Sequence, residues 1–210
     1  MVKWIFFDVG CTLIDETQMW AHRNEETRQM AEAIGRKVTV QEIMDKETAC
    51  AEAYIPIAPT VAKWLGLPDM AKYRSEFEEL YPGAEEVLAK LHKHYKLGVI
   101  ANQPDNLDGR LEKLGILKHF DVVVSSHDVG CVKPDERIFR LALSRSGASP
   151  EECAMVGDRL DNDIEPAKKL GFTTVHIRQG VCATQQPRNK LSTPDYSVTD
   201  VYGLLDVFAL

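Results

Sequence analysis

The acidic residue that follows the first apolar run of the chain is placed to react. Trp4 to Phe7 are four apolar residues that run directly into Asp8, and Gly10 follows two residues later. A short apolar run that ends at a carboxylate and a glycine predicts a buried strand with an acid at its C-terminal end. In open α/β sheets, ligands bind at that end of the strands. Asp8 is therefore the first candidate for a reactive residue.

Three further carboxylates and a lysine occur at comparable places. Asp158, Asp161 and Asp163 come just after an apolar run, and Lys133 precedes a proline. A parallel sheet would bring them to one edge together with Asp8. Several carboxylates repel one another unless a hard cation neutralises them, and Mg²⁺ binds carboxylates together with substrate phosphate oxygens. The pattern predicts a Mg²⁺ site in which Lys133 binds phosphate and orients Asp8, although each motif alone is more typical of a turn or a helix cap.

The composition limits the classes of protein to consider. The 210 residues, 44% of them hydrophobic and 27% charged, suffice for one large domain or for a core with a smaller insert. A net charge of −7 without a long basic run disfavours nucleic acid as a partner. No apolar window approaches the ~18 residues of a spanning helix, and the N-terminal run is too short for a signal peptide. Five scattered cysteines predict reduced thiols and no zinc site, so we expect a cytoplasmic protein away from membranes.

Strand and helix patterns alternate after residue 82, which predicts βαβ units and a parallel sheet. Besides residues 4–7, the predicted strands are 97–101, 120–124, 153–156, 173–177 and 196–199. The predicted helices are 84–95, 104–115, 135–147 and 162–170. Gly115, Gly147 and Gly171 stand where three of these helices should stop.

Residues 14–81 interrupt this alternation. They show helical patterns at roughly 17–34, 40–54, 58–66 and 69–80, and no convincing strand. Pro82-Gly83 then marks the return to the α/β pattern. We predict an α-helical insert directly after the first strand. Near the other end of the chain, the polar and turn-rich residues 179–194 predict a surface loop.

The motifs together resemble the haloacid dehalogenase-like hydrolase superfamily, over essentially the whole chain. Four motifs occur in that family's order: Asp8-Val-Gly-Cys-Thr12-Leu13, Ile100-Ala-Asn102, Val132-Lys-Pro-Asp135, and Gly157-Asp158 with Asp163 five residues on. The insert is similar to the family's helical cap. The resemblance implies an α/β fold with a Rossmann-like parallel-sheet core, residues 1–13 and 82–210, and an α-helical cap, residues 14–81.

The resemblance also implies a mechanism and a metal site. Asp8 would attack phosphorus and form an aspartyl-phosphate, which water then hydrolyses. Mg²⁺ would be held by Asp8, the backbone carbonyl of Gly10 and Asp158, with Asp163 contributing through a metal-bound water or from just outside the metal's ligands. These roles suit phosphoryl transfer, in which positioning and charge stabilisation dominate.

The phosphoryl group would be bound by backbone N–H groups after Asp8, by Asn102 and by Lys133. The function that the resemblance implies is a Mg²⁺-dependent phosphatase that acts on a small phosphorylated metabolite. We expect a monomer or a homodimer.

Two positions depart from the family's phosphatase pattern. The residue two after the nucleophile is normally an aspartate that serves as general acid and base, a role typically worth 10²–10⁴-fold in rate, but here it is Gly10. Ala101 stands where a serine or threonine commonly donates to phosphate, which removes about one hydrogen bond. Asn102 is the candidate to compensate for that second loss.

Three interpretations of Gly10 remain open. The protein is a phosphatase whose acid comes from elsewhere, with Asp15 or a cap residue as candidates, or whose substrate has a good leaving group such as an acyl phosphate. Alternatively, it resembles the family's phosphonatases, which use a cap lysine, for which Lys46 and Lys63 are candidates. The third interpretation is a non-catalytic regulatory protein that binds metal and phosphate.

The cap is expected to set specificity, because it would close over the strand ends and exclude water. Arg23 is a candidate to bind a second anionic group, whereas Met19 and Trp20 are expected to pack within the cap. His127, after a predicted strand, is a weak candidate for acid–base chemistry. Asp161 is expected to be a solvated acid at a helix start.

Overall fold

The computed structural model describes residues 1–210, with a six-stranded parallel sheet at its centre. Its strands are β1 (Trp4–Phe7), β4 (Lys96–Ala101), β5 (Val122–Ser125), β6 (Cys153–Gly157), β7 (Thr173–Ile177) and β8 (Tyr196–Val198). Across the sheet they are ordered β5-β4-β1-β6-β7-β8. Phe7 pairs in register with Val99 on one side and Val156 on the other, so β1 lies in the middle of the sheet. The predicted parallel α/β sheet is confirmed.

The side chains of β1 alternate between two hydrophobic layers, as the period of two in a strand requires. Ile5 and Phe7 belong to one layer, Phe6 belongs to the other, and all three are fully buried. Helices cover both faces, and they are α4 (Ala84–Leu91), α5 (Leu107–Lys113), α6 (Ser126–Val129), α7 (Glu136–Ser146), α8 (Glu165–Leu170) and α9 (Gly203–Val207). A strand buried on both faces explains why the sequence reads as an uninterrupted apolar run.

The segment after β1 forms three helices, α1 (Thr17–Ala33), α2 (Val40–Glu52) and α3 (Ile57–Leu65). Their buried side chains form a hydrophobic cluster separate from the two layers of the sheet. Two short strands, β2 (Ile14–Asp15) and β3 (Glu79–Leu80), pair antiparallel where the chain enters and leaves this segment. The three predicted helices agree with the structure to within two residues, while the division of the chain into two domains stays a prediction.

The predicted helix over 69–80 is wrong. This stretch contains only a single 3₁₀ turn, Ser75–Phe77, followed by β3. The Tyr73 hydroxyl hydrogen-bonds to Glu16, and Arg74 forms an ion pair with Glu26. These tertiary contacts override the helical spacing of the local sequence.

The prediction of a surface loop over 179–194 is wrong in part. Cys182, Gln185 and Ser192 are buried. The Gln185 side chain accepts a hydrogen bond of 2.7 Å from the backbone N–H of Leu160 and donates one of 2.7 Å to the carbonyl of Ala51. This loop therefore joins the edge of the sheet to helix α2.

All five cysteines are free thiols, as predicted. None of the helices combines the length and the apolar character needed to cross a lipid bilayer.

Candidate active site

Three carboxylates meet at the carboxyl ends of β1 and β6. Asp8, Asp158 and Asp163 each place one oxygen within 4.8 Å of the other two, and their residues are 9%, 4% and 1% exposed. Asp8 is held by its backbone N–H, which donates to the Val156 carbonyl at 2.9 Å. Three buried carboxylates within reach of one ion form a donor set that suits a hard divalent cation. Asp161 lies outside this group, so three of the four predicted acids come together.

Asp163 reaches the group from a single π-helical turn, Leu160–Ile164, that precedes α8. Its Oδ2 accepts a hydrogen bond of 3.0 Å from the backbone N–H of Arg159. The side chain passes close over Gly157, where a β-carbon would lie 2.4 Å from Asp163 Cγ. Glycine is therefore required at position 157 for the carboxylate to take this position.

Lys133 bridges two of the three acids. Its Nζ lies 2.6 Å from Asp8 Oδ1 and 2.5 Å from Asp163 Oδ1, and the residue is 4% exposed. Burial alone would lower the pKa of this ammonium, but the Asp163 and Asp8 carboxylates outweigh it and raise that pKa. A raised pKa favours the charged ammonium, whose hydrogen bonds fix the orientation of the Asp8 and Asp163 carboxylates.

When all three acids are ionised, they carry more negative charge than the single lysine balances. Burial, together with the neighbouring Asp163 and Asp8 carboxylates, raises the pKa of Asp158 well above its usual value. Burial likewise raises the pKa of Asp163, against the attraction of Lys133. Raised carboxyl pKa values in a closed group show that a further positive charge would be stabilised there.

Asn102 fixes the position of Lys133 through its backbone. The amide oxygen of Asn102 accepts from the Lys133 N–H at 2.7 Å, and its Nδ2 donates to the Lys133 carbonyl at 2.9 Å. The backbone N–H groups of Val9 and Gly10 have no hydrogen-bond partner in the protein. Free N–H groups beside a carboxylate at the floor of a site are suited to bind phosphoryl oxygens.

A cavity of about 720 Å³ opens over the three acids. Its wall on the sheet side includes Asp8, Asn102 and Lys133, and its opposite wall includes Trp20 and Tyr54. The volume falls within the range of small-molecule sites, roughly 300–1,000 Å³. The acids therefore lie at the floor of a chamber that the sheet and the helical segment build together.

Glu16 is a residue of this cavity that the sequence analysis missed. Its carboxylate is buried and accepts hydrogen bonds from Tyr73 Oη at 2.8 Å and from Trp20 Nε1 at 3.2 Å. Burial raises the pKa of this carboxyl group, against the hydrogen bonds from Tyr73 and Trp20. Its neighbour Asp15, the predicted candidate, does not line the cavity and accepts from the Thr17 N–H at 2.9 Å. Two adjacent acids carry no sequence signal that tells which one faces inward.

The remaining candidates lie elsewhere. Arg23 donates to the Ala71 carbonyl at 2.8 Å, and His127 is exposed outside the cavity. Lys46 and Lys63, the candidates for a phosphonatase lysine, do not line the cavity either.

Met19 is fully buried and Trp20 packs against the hydrophobic cluster of the helical segment, as predicted. Trp20 also lines the cavity. The expectation that Asp161 is a solvated acid is wrong, because it forms an ion pair of 2.6 Å with Arg159 at the cavity wall. Arg159 precedes Asp161 by two residues and donates two hydrogen bonds to its carboxylate.

The sequence matches the haloacid dehalogenase-like hydrolases over residues 5–177, most of the chain. The chain belongs to this family. The predicted family, fold class and enzyme class are thereby confirmed.

Proteins similar to this hydrolase include named phosphatases. It is 44% identical over 98 residues to glyceraldehyde 3-phosphate phosphatase from Methanopyrus kandleri, a match that covers 47% of this chain and only 42% of that protein. It is 32% identical over 205 residues to the glyceraldehyde 3-phosphate phosphatase of Pyrococcus abyssi, covering 86% of this chain and 83% of the other. The crystal structure of a phosphatase of this family from Thermococcus onnurineus matches with a TM-score of 0.72 and 26% identity, covering 99% and 98% of the two chains.

Proposed function

We propose that this hydrolase is a Mg²⁺-dependent phosphatase that acts on a small phosphorylated metabolite through an aspartyl-phosphate at Asp8. The observation that carries this proposal is the buried group of Asp8, Asp158 and Asp163, with Lys133 in contact with two of its members. A nucleophilic carboxylate, a cation-binding donor set and a fixed lysine are the components that phosphoryl transfer requires.

The residues that would hold Mg²⁺ are Asp8, Asp158 and the backbone carbonyl of Gly10, with Asp163 beside them. Bound there, the ion would neutralise the charge of a phosphoryl group and of the acids around it. Lys133 holds one Asp8 oxygen at 2.6 Å, which leaves the other oxygen to attack phosphorus. The N–H groups of Val9 and Gly10 would bind phosphoryl oxygens as the negative charge on them shifts during transfer.

Asn102 supports this arrangement indirectly. Both ends of its amide bond to the backbone of Lys133, so its main role is to position that lysine rather than to replace the hydroxyl missing at Ala101. A lysine fixed at both its backbone and its ammonium group is preorganised, which lowers the cost of reaching the transition state.

The helical segment is proposed to act as a cap, residues 14–81, over a core of residues 1–13 and 82–210. Support comes from the cavity wall, to which this segment contributes Trp20, Tyr54, Ile57 and Tyr73. A wall of aromatic and aliphatic groups would exclude water from the reacting phosphate. The names of the relatives make glyceraldehyde 3-phosphate the first substrate to test.

The test is phosphate release from glyceraldehyde 3-phosphate, p-nitrophenyl phosphate and acetyl phosphate, with and without Mg²⁺. We expect Mg²⁺-dependent turnover by the wild type and loss of that turnover in Asp8→Asn, a change of one oxygen to nitrogen. Asp15→Asn serves as the matched control, because Asp15 lies outside the cavity. Beryllofluoride, a mimic of the phosphoryl group, should bind to the wild type and to Asp15→Asn but not to Asp8→Asn.

Three outcomes would contradict the proposal. Unchanged turnover and beryllofluoride binding in Asp8→Asn would show that Asp8 is not the nucleophile. A wild type that binds Mg²⁺ but hydrolyses none of the three phosphorylated substrates would support the regulatory interpretation. Turnover of phosphonoacetaldehyde that borohydride traps on a lysine would instead indicate a phosphonatase.

A further inference from the structure

The position two residues after the nucleophile has no side chain, yet a carboxyl group occupies the space beside it. A β-carbon added to Gly10 would lie 2.5 Å from Glu16 Oε1, 2.9 Å from Glu16 Cδ and 3.1 Å from Glu16 Oε2. In an aspartate, a carboxylate oxygen lies about 2.4 Å from its own β-carbon, as ordinary bond lengths dictate. Glu16 Oε1 is therefore as far from that point as an oxygen of Asp at position 10 would be.

Three neighbours hold the Glu16 carboxyl group in this place. Tyr73 Oη lies 2.8 Å from Oε1, while Trp20 Nε1 and Cys11 Sγ lie 3.2 Å and 3.6 Å from Oε2. These contacts fix the orientation of a side chain that is 7% exposed and lines the cavity above Asp8. A preorganised carboxyl group at the chamber that holds the nucleophile is suited to exchange protons with a bound substrate.

The hydrogen bonds around Tyr73 also leave room for a proton on Glu16. The hydroxyl of Tyr73 has one hydrogen but faces two carboxylates, those of Glu16 and Glu78. Glu78 is already the buried partner of Arg110, with Arg110 Nε 3.0 Å from Glu78 Oε2. When the Tyr73 hydrogen points to Glu78, a proton on Glu16 completes the other hydrogen bond.

We propose that Glu16 is the general acid and base of this hydrolase, supplying from the start of α1 the carboxyl group that Gly10 lacks. This inference rests on the proposed function. In the first step an Asp8 oxygen bonds to phosphorus, the bond from phosphorus to the ester oxygen breaks, and that oxygen takes the proton of Glu16 and leaves as an alcohol. In the second step water attacks phosphorus and gives a proton to Glu16, while the bond to Asp8 breaks and inorganic phosphate leaves.

Gly10 acquires a defined role in this arrangement. A side chain at position 10 would come so close to the Glu16 carboxyl group that this group would have to leave its place. Glycine at 10 and glutamate at 16 are thus two halves of one arrangement. Adding an aspartate at position 10 alone would displace Glu16 instead of adding a second acid.

The first experiment compares Glu16→Gln with Asp15→Asn, which removes the neighbouring carboxylate outside the cavity. For glyceraldehyde 3-phosphate, whose alkoxide leaving group needs a proton, we expect Glu16→Gln to lower kcat/KM by 10²–10⁴-fold. For acetyl phosphate, a good leaving group, the phosphorylation step should change far less. The acyl-phosphate reaction should then show a burst of one acetate per site, followed by slow release of phosphate. Asp15→Asn should retain wild-type kinetics with both substrates.

Two results for Glu16→Gln would overturn the inference: an equal loss of kcat/KM with both substrates and no burst, or wild-type kinetics. Neither result would contradict the proposed function, because the wild type would still be active. A wild type inactive toward every phosphate ester would contradict the proposed function itself. Beryllofluoride binding and the thermal unfolding midpoint report whether Glu16→Gln is folded.

The second experiment moves the carboxyl group back to position 10. Gly10→Asp should reduce activity, because the new side chain collides with Glu16, and Glu16→Ala should lose the acid. The double variant Gly10→Asp/Glu16→Ala removes the collision and restores an acid, so it should exceed both single variants on glyceraldehyde 3-phosphate. Losses that simply multiply in a folded double variant would overturn the inference, since independent sites add in free energy.

Discussion

The side-chain amide of Asn102 forms two hydrogen bonds with the backbone of Lys133. It accepts one of 2.7 Å from the Lys133 N–H and donates one of 2.9 Å to the Lys133 carbonyl. This pair connects the end of β4 to the lysine that contacts Asp8 and Asp163. Asn102, at the end of β4, therefore fixes the backbone from which the Lys133 side chain extends to the acids.

Asn102→Ala tests this positioning role. The variant loses two hydrogen bonds, each worth roughly 0.5–1.5 kcal/mol, so the free energy of unfolding should fall by about 1–3 kcal/mol. Misplacement of Lys133 should lower kcat on the order of 10²-fold. Gln29→Ala, which removes an exposed amide on α1, should change neither quantity. Wild-type turnover and beryllofluoride affinity in Asn102→Ala would contradict the role.

Lys133→Met tests the charge balance of the site. It leaves three buried carboxylates without their lysine, which should cost about 3–5 kcal/mol of folding stability. The loss should be larger at pH 8 than at pH 5, because the raised pKa values let Asp158 and Asp163 hold protons at the lower pH. Lys169→Met, which breaks an exposed ion pair with Glu136, should cost about 0–1 kcal/mol. Chemical denaturation at both pH values measures the four differences, and equal losses in the two variants would contradict the prediction.

Magnesium should stabilise the folded protein. At a concentration 100-fold above Kd, a ligand that binds only the folded state adds about 2.7 kcal/mol, visible as a rise in Tm. Asp158→Asn should abolish most of this rise. Asp161→Asn should keep it, because Asp161 pairs with Arg159 and lies outside the group of three acids. A rise that survives in Asp158→Asn would place the metal elsewhere.

The raised pKa of Glu47 predicts that the stability of the fold depends on pH, separately from the acids of the candidate active site. Burial raises the pKa of its carboxyl group from 4.5 to about 7, against the hydrogen bond from Asn24. Glu47 Oε1 and Asn24 Oδ1 are buried without partners, while Asn24 Nδ2 donates to Glu47 Oε2 at 2.8 Å. A protonated carboxyl group facing the amide would satisfy both oxygens.

The folded state therefore binds more protons than the unfolded state between pH 4.5 and about 7, so stability falls as the pH rises through that window. The shift corresponds to about 3 kcal/mol. Glu47→Gln, which supplies the same donor at every pH, should match the wild type near pH 4.5 and exceed it by up to that amount at pH 8. Glu52→Gln, at an exposed position on α2, should show no such difference. Parallel stability curves for the wild type and Glu47→Gln would contradict the prediction.

The sequence predicted those parts of the fold and site that follow from local pattern. Apolar runs identified every strand of the sheet, and glycines marked helix ends, because burial on both faces and left-handed turns leave direct traces in residue type. Asp8, Asn102 and Asp158 directly follow strands of the sheet, which is the position where ligand-binding residues are expected. Lys133 and Asp163 do not directly follow a strand, and they were found from their places in the family's motifs. Their convergence then followed from the parallel order of the sheet.

What the sequence did not reveal depends on contacts between distant segments. The two-residue strands β2 and β3 are too short to show a period. The hydrogen bond between Tyr73 and Glu16 joins residues that are 57 positions apart. The choice between Asp15 and Glu16 depended on which way one short linker turns. No pattern of residue types encodes that direction.

The way the cavity wall is built has a consequence for which substitutions this hydrolase can accept. The charged floor of the cavity comes from the strand ends. Part of the wall, here called the seam, is lined by residues 54–58 and 181–182, and next to it Gln185 donates a hydrogen bond to the Ala51 carbonyl. Substitutions in that seam can reshape the chamber without disturbing a single buried charge. The seam and the buried charges lie on separate stretches of the chain, so we expect substitutions in the seam to alter substrate selectivity while the charged floor stays unchanged.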